Sequence, residues 1–377
     1  SGVSIGGYHC GIFLQTGGES IHKSMSLAGA NGGTCYYTVL GGTTKMVGKK
    51  GDYTAVMGNG GHLYVTVQGK ASFFSIADSN YGIVYNCSNA NQDDTAVYNL
   101  NDGGVFECAK FFLYKDSYKS TYPLIINFNG GILRTCGGYE RIFCEGTLMP
   151  KVVVYEKGIQ VDNADVRNLS NQSVPLDGIR EGGILSIALP EGGVSGFYAA
   201  PRVNIAGDGD GASAIALVDS RTATVTNILV TSHGWGYSPE TTTVTLRYYT
   251  KVKYTVPKTN VVIGDNVVGG FTKLGSKIFS LYCTNTYARW TRVMGGTLKA
   301  IAKGALTFNG DVEASGDSKW QPTTGGDTTY AVVLEGYSVS VNGSLTSTST
   351  STSSAGRNYI KSTGGDITIA GDLGAKG

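Results

Sequence analysis

Apolar positions come in short runs that alternate with Ser, Thr, Tyr or Asn and stop at Gly-Gly or Gly-Asn. A period of two puts the apolar side chains on one face of an extended strand. Helical periodicity is nearly absent, and Tyr, Val and Thr, which fit a pleated surface, are frequent. The pattern predicts an almost all-β chain. A short unit also recurs: GIFLQTGG at 11–18, CYYTVLGG at 35–42, HLYVTVQG at 62–69, AVYNLNDGG at 96–104 and LIINFNGG at 124–131. Its closing glycine falls at 18, 42, 69, 104 and 131, in steps of 24, 27, 35 and 27. The residues 87–95 (CSNANQDDT) supply the longer step as a loop insertion. Repeats of this length mark stacked coils, each satisfying its neighbour's backbone groups. The expected fold is a right-handed parallel β-helix, with glycine at sharp corners and a narrow core of Val, Ile, Leu and Phe. Gly-rich turns also suit antiparallel sandwiches.

Composition narrows the class. Of 377 residues 56 are Gly, 41% are hydrophobic and 15% charged, with a formal net charge of +2. That is enough apolar surface for a core, and neither disorder nor collagen fits. There is no basic block to suggest nucleic acid and no run of 18 apolar residues to span a membrane as a helix. Ser1 opens without a leader pattern, and GGDITIAGDLGAKG at 364–377 reads as one more unit. A mature or excised segment of a longer chain is therefore expected.

Residues 269–298 read GGFTKLGSKIFSLYCTNTYARWTRVMGGTL. This resembles the autotransporter-associated β-strand repeat of bacterial passenger proteins. Gly269, Gly270, Thr272, Lys273, Gly275, Leu281, Asn285, Thr286, Tyr287, Thr291, Val293, Gly295, Gly296, Thr297 and Leu298 fall on its pattern. Lys277 and Arg289 stand where that pattern has glycine. INFNGGILR at 126–134 and VYEKGIQVDNADVRN at 154–168 resemble further stretches of the same proteins. The resemblance implies a secreted or surface-displayed passenger, carried by a C-terminal outer-membrane barrel. Between these parts lie GVSGFYAAPRVNI at 193–205 and GWGYSPETTTVTL at 234–246, each with spaced glycines, an aromatic and a proline ahead of a strand. They resemble a Gly-rich unit found inside such passengers and read as a small β insertion module. The expected organisation is an N-terminal β-solenoid over 1–192, the module over 193–250 and a C-terminal β-solenoid over 251–377.

Candidate chemistry is sparse. His9, His22, His62 and His233 share no metal-binding spacing. His9 and Cys10 are adjacent, so on a strand they point to opposite faces and a catalytic dyad is not expected. No esterase elbow or phosphate-cradling loop occurs. Asp93 with Asp94, Asp162 with Asp165, and Asp208 with Asp210 are the close acid pairs; polysaccharide cleavage would need two such carboxylates on one face. Asp208 and Asp210, in GDGDG, are the candidate calcium ligands, since alternating Asp and Gly lets carboxylates and carbonyls converge. The bland reading of that stretch is a Gly-rich hairpin turn.

Seven cysteines (10, 35, 87, 108, 136, 144 and 283) form an odd set, which leaves at least one thiol unpaired or shared. Such passengers usually hold few, so this departs from the family pattern. The gaps 10→35 and 35→87 approximate one and two coils, which suits cysteines stacked in the core as small hydrophobes. The alternative is a disulfide, with Cys136 and Cys144 the best pair across a Gly-Gly turn. GSLTSTSTSTSS at 343–354 is hydroxyl-rich and expected to be an exposed loop.

The resulting expectation is a non-enzymatic structural and adhesive segment of a bacterial surface or secreted protein. It would hold no cofactor besides the candidate calcium ion. Its partners would be host or environmental glycans or surface proteins, together with end-to-end copies of itself, and no nucleic acid. The rivals are a polysaccharide lyase or glycoside hydrolase built on a β-helix, and a trimeric phage tail-fibre spike.

Overall fold

The computed structural model of the chain describes residues 2–6, 10–27, 33–47, 55–59, 61–77, 83–87, 95–114, 124–136, 141–143, 150–163, 169–172, 174–248, 251–314, 331–347 and 358–375. Within them the protein is almost all β, and a 3-10 turn at Lys258–Asn260 is the one helical element. No helix among the described residues is long and apolar enough to cross a membrane.

A 16-stranded sheet with parallel pairing dominates, flanked by two five-stranded parallel sheets and one three-stranded parallel sheet. Among the described residues no sheet closes on itself. The large sheet bends at residues 40–42. The first half of the strand Gly33–Met46 pairs with Gly61–Gln68, and its second half pairs with Ser72–Ser75. In later rungs the chain breaks at this bend, as between Leu124–Asn129 and Ile132–Thr135. Gly130 takes φ 86° there. A side chain at Gly131 would run into the Leu100 backbone of the rung before, so both glycines of the pair are needed, for different reasons.

Register makes the pattern of the sequence physical. Phe13, Tyr37, Val65, Tyr98, Ile126, Val152 and Leu176 are successive partners across seven rungs. Gln15, Val39, Val67, Leu100, Phe128 and Val154 form the next column on the same face. Beyond the bend, Phe74, Phe106, Leu133, Val161, Lys273, Val293 and Ala314 form a third. These columns fill one continuous buried core, in which Phe74, Phe106 and Phe111 pack ring to ring. On the opposite face charges alternate between rungs: Arg134 meets Asp162, Arg292 meets Glu313, and Lys361 meets Glu335.

The parallel ladder is interrupted between Asp177 and Phe271. There the strands are antiparallel and make their own core, around Ile184, Phe197, Val203, Val225, Val244 and Leu246. These strands run from Gly183 to Gly264, so the module limits of 193–250 expected from the Gly-aromatic-Pro units fall inside this stretch. Phe197 and Tyr237, the aromatics of those units, are both buried in this second core.

Candidate functional site

The antiparallel module folds back onto the outward face of the parallel strands. Leu14, Thr38, Thr66, Asn99 and Asn127 are register partners that alternation assigns to solvent. Leu14, in the outermost rung, is 43% exposed, whereas Asn99 is fully buried. The module covers the rest. Asn99 Nδ2 donates to Thr66 Oγ1 at 3.1 Å and to Ser213 Oγ of the module at 2.9 Å, and Asn127 Nδ2 donates to Asn99 Oδ1 at 3.0 Å. Asn101 Nδ2 donates to the Thr231 carbonyl at 2.8 Å, and the Tyr36 hydroxyl donates to the Val203 carbonyl at 3.0 Å. The buried Nδ2 groups are tolerated here because each finds an acceptor, while Asn127 Oδ1 is buried without a donor.

Where the module overhangs the outermost rung it leaves a cavity of about 350 Å³. Cys10, Ile12 and Leu14 line one side, and Arg202, Arg247 and Tyr248 the other. Burial raises the pKa of the Cys10 thiol and of the Tyr36 and Tyr64 hydroxyls, and the Arg202 charge opposes that rise in all three.

The motif residues at 269–298 have structural work. Lys273 stands in the inward column, fully buried, between Val161 and Val293. Its Nζ donates to the carbonyls of Leu274, Gly275 (2.9 Å) and Gly295 (3.2 Å), closing two turns at once. Burial pulls this ammonium down to about 7, opposed by the charge of Asp162. Asn285, Thr286 and Tyr287 hold the chain where the module departs. Asn285 Oδ1 accepts from Leu176 N at 3.0 Å, Thr286 Oγ1 accepts from Gly178 N at 3.0 Å, and the Tyr287 hydroxyl meets Thr291 Oγ1 at 2.9 Å.

Asp208 lies at the turn before the strand Asp210–Asp219, and Asp210 is that strand's first residue. Asp208 accepts from Ser238 N (3.0 Å), Ser238 Oγ (2.7 Å) and Thr241 Oγ1 (2.6 Å). The Thr241 hydroxyl, then Ser238, lower its pKa to about 2. Both oxygens therefore already hold the 238–241 turn. Asp210 pairs with Trp235 on the neighbouring strand, and no third His, Cys, Asp or Glu among the described residues joins the two. Asp162 faces Arg134 at 3.1 Å. Asp93, Asp94 and Asp165 lie outside the described residues.

His22 meets Ser20 Oγ at 2.6 Å and His233 Nδ1 meets Asn266 Oδ1 at 3.1 Å; burial lowers the pKa of both. His62 lies on the strand Gly61–Gln68, and His9 is outside the described residues. Cys35 and Cys108 are buried in the core. Cys136 donates its backbone N–H to the Cys108 carbonyl of the rung before, at 3.1 Å. Cys144, its expected disulfide partner, lies outside the described residues, so the pair is not described. Of the hydroxyl-rich stretch, Leu345–Ser347 forms a strand and 348–354 is not described.

Sequence reasoning missed the buried Asn and Thr column and the Arg202–Arg247 pair. The Asn at 99, 101, 127 and 129 recur at the coil spacing, which was a signal that this face is special. Nothing local marked the two arginines. In comparisons with protein-family models, with curated proteins and with solved structures, no family model, curated protein or solved structure matches the chain.

Proposed function

We propose that the parallel strands wind as a right-handed parallel β-helix, and that the chain is a non-enzymatic structural and adhesive segment of a bacterial, autotransporter-like surface or secreted protein. The observation that carries this reading is continuous pairing: in the large sheet each strand pairs in parallel with the next from Cys10–His22 to Leu373–Ala375, with the module as a side branch. Right-handed winding is the near-universal choice for parallel crossovers. A stack at about 4.8 Å per rung is stiff, because every rung is hydrogen-bonded to both neighbours. The rung-to-rung ion pairs and the carbonyl-capping Lys273 fit that scaffold role. The motif residues of the passenger resemblance gain a mechanical reason, since they close turns and fix the base of a side branch. Glycans or surface proteins are the partners, engaged by the outer faces and the module.

The test is retention without turnover. The immobilised chain is challenged with neutral, pectic, mucin-type and alginate polysaccharides in the presence of Ca²⁺. The reading expects at least one to be retained with no new reducing ends and no unsaturated products. Shortened or unsaturated products would instead mark a lyase or hydrolase, and retention of none would remove the adhesive role.

A further inference from the structure

We propose that the cavity between the module and the outermost rung is an oxyanion site, and that its ligand is the carboxylate of an acidic saccharide. Arg202 and Arg247 are direct partners on adjacent antiparallel strands, and both line the cavity. Side chains so placed start about 5 Å apart, and like charges there repel. Both Nε atoms are buried and have no hydrogen-bond acceptor. A buried unsatisfied donor costs stability, and here two occur, on cross-strand cations that both line one cavity.

No carboxylate relieves them. Among the described residues that line the cavity, from Cys10 to Leu14, Ala199 to Arg202 and Arg247 to Tyr248, none is Asp or Glu. The field of Arg202 favours the ionised forms of Tyr36, Tyr64 and Cys10 against their burial, which is the field an anion would enter. A carboxylate held between the two guanidinium groups cancels their repulsion. The volume of about 350 Å³ lies at the small end of small-molecule sites. The rest of the wall is apolar or aromatic: Ile12 and Leu14 on one side, Tyr248 on the other. Tyr198, adjacent in the chain to the lining residues Ala199 and Ala200, is 82% exposed. Aromatic faces beside a charged clamp suit a sugar ring that carries an acid. The choice of a saccharide rests on the adhesive reading; the capture of an oxyanion rests on the arginines alone.

The experiment titrates the full chain by calorimetry with D-galacturonate, with D-galactose as the neutral ring, and with inorganic sulfate as the bare anion. Galacturonate is expected to bind at least tenfold more tightly than galactose, to raise the melting temperature, and to weaken as salt is added. Arg247→Gln is expected to reduce galacturonate to the level of galactose, and Arg247→Lys to recover part of the loss. Removing one of two like charges leaves Arg247→Gln melting no lower than the parent, where a purely structural arginine would melt lower. Leu14→Trp, which fills the cavity from the opposite wall with both arginines intact, is expected to abolish binding as well. Equal binding of galactose and galacturonate, unchanged binding in Arg247→Gln and Leu14→Trp, or no binding of galacturonate or sulfate would overturn the site. Sulfate binding without galacturonate would overturn the saccharide assignment. None of these outcomes touches the scaffold reading, whose failure shows in the product assay above.

Discussion

The parallel body and the antiparallel module solve the same problem in opposite ways. In the body, partners sit a full rung apart in sequence: Val67 pairs with Leu100 and Leu133 with Val161. In the module, the strands Asp210–Asp219 and Thr224–Trp235 pair as a hairpin, with Asp219 beside Thr224. The body therefore draws its stability from columns of like residues, the module from local pairing around a separate core. Their meeting surface belongs to neither pattern. It is a polar column that the body's alternation sends outward and the module then buries. Outward-facing residues of a repeat are thus not surface residues where a side branch returns.

The largest effects should separate the two cores. Phe106→Ala, in the body, should cost about 3–5 kcal/mol in denaturant unfolding, as expected for a buried aromatic. Leu246→Ala, in the module, should cost about 2–5 kcal/mol, yet hydrogen exchange should rise only within 183–264 while the parallel rungs stay protected. Loss of protection throughout after Leu246→Ala would mean one cooperative unit rather than two.

Next is the surface between them. Asn99→Leu leaves Ser213 and Asn127 without their amide partner, and should cost about 1–3 kcal/mol by the same denaturant measurement. Exchange should rise at 212–214 and at 230–232 together.

The body also carries its own pH signature. Lys273 releases its proton at about 7 in the folded protein against 10.5 unfolded, so between those values the unfolded chain holds more protons and stability climbs with pH. Tyr37, raised to about 12 by burial, and Tyr36, Tyr155 and Tyr287, shifted the same way by burial together with Tyr237 in the module, act oppositely. Their contribution is complete below pH 10 and is lost as pH rises through the folded values. The thiols of Cys10, Cys108 and Cys283, also raised by burial, act as the tyrosines do but from about 9, so melting temperature should rise from pH 7 towards 9 and fall beyond it. Lys273→Met should flatten the rise and lower the whole curve, because the carbonyls of Gly275 and Gly295 lose their donor.

The smallest effect belongs to the module's exposed rim. Asp208→Asn weakens the clamp on Ser238 and Thr241, and should loosen exchange at 238–242 with little change in melting. Acidification of the parent should do the same as pH falls from 3.8 through about 2.

Much of the body was legible. Alternation marked the strands, and the Gly-Gly spacing marked the bend, because successive parallel strands in register must bend at the same place. The glycine that adopts positive φ shifts along the pair, from Gly18, Gly42 and Gly69 to Gly103 and Gly130, because spacing locates the corner but not which residue strains. Lys273 was legible as a motif residue but not as a core residue, since alternation alone puts no ammonium inside. Asp208 read as a metal ligand or a turn residue, and its oxygens are engaged in turn bonds. The Arg202–Arg247 pair was not legible, because the two are brought together by antiparallel register across 45 residues and framed by a rung 190 residues earlier.

The central claim is parallel register between rungs, and methyl-to-methyl NOE contacts in a protonated-methyl, otherwise deuterated sample test it directly. Val39, Val67 and Leu100 form one column, and Leu63, Ala96 and Leu124 another, with neighbours about 4.8 Å apart along each. The account predicts strong contacts from Val39 to Val67, Val67 to Leu100, Leu63 to Ala96 and Ala96 to Leu124. Antiparallel pairing of the same strands would instead bring Leu63 to Leu100 and Val67 to Ala96, and that result would contradict it.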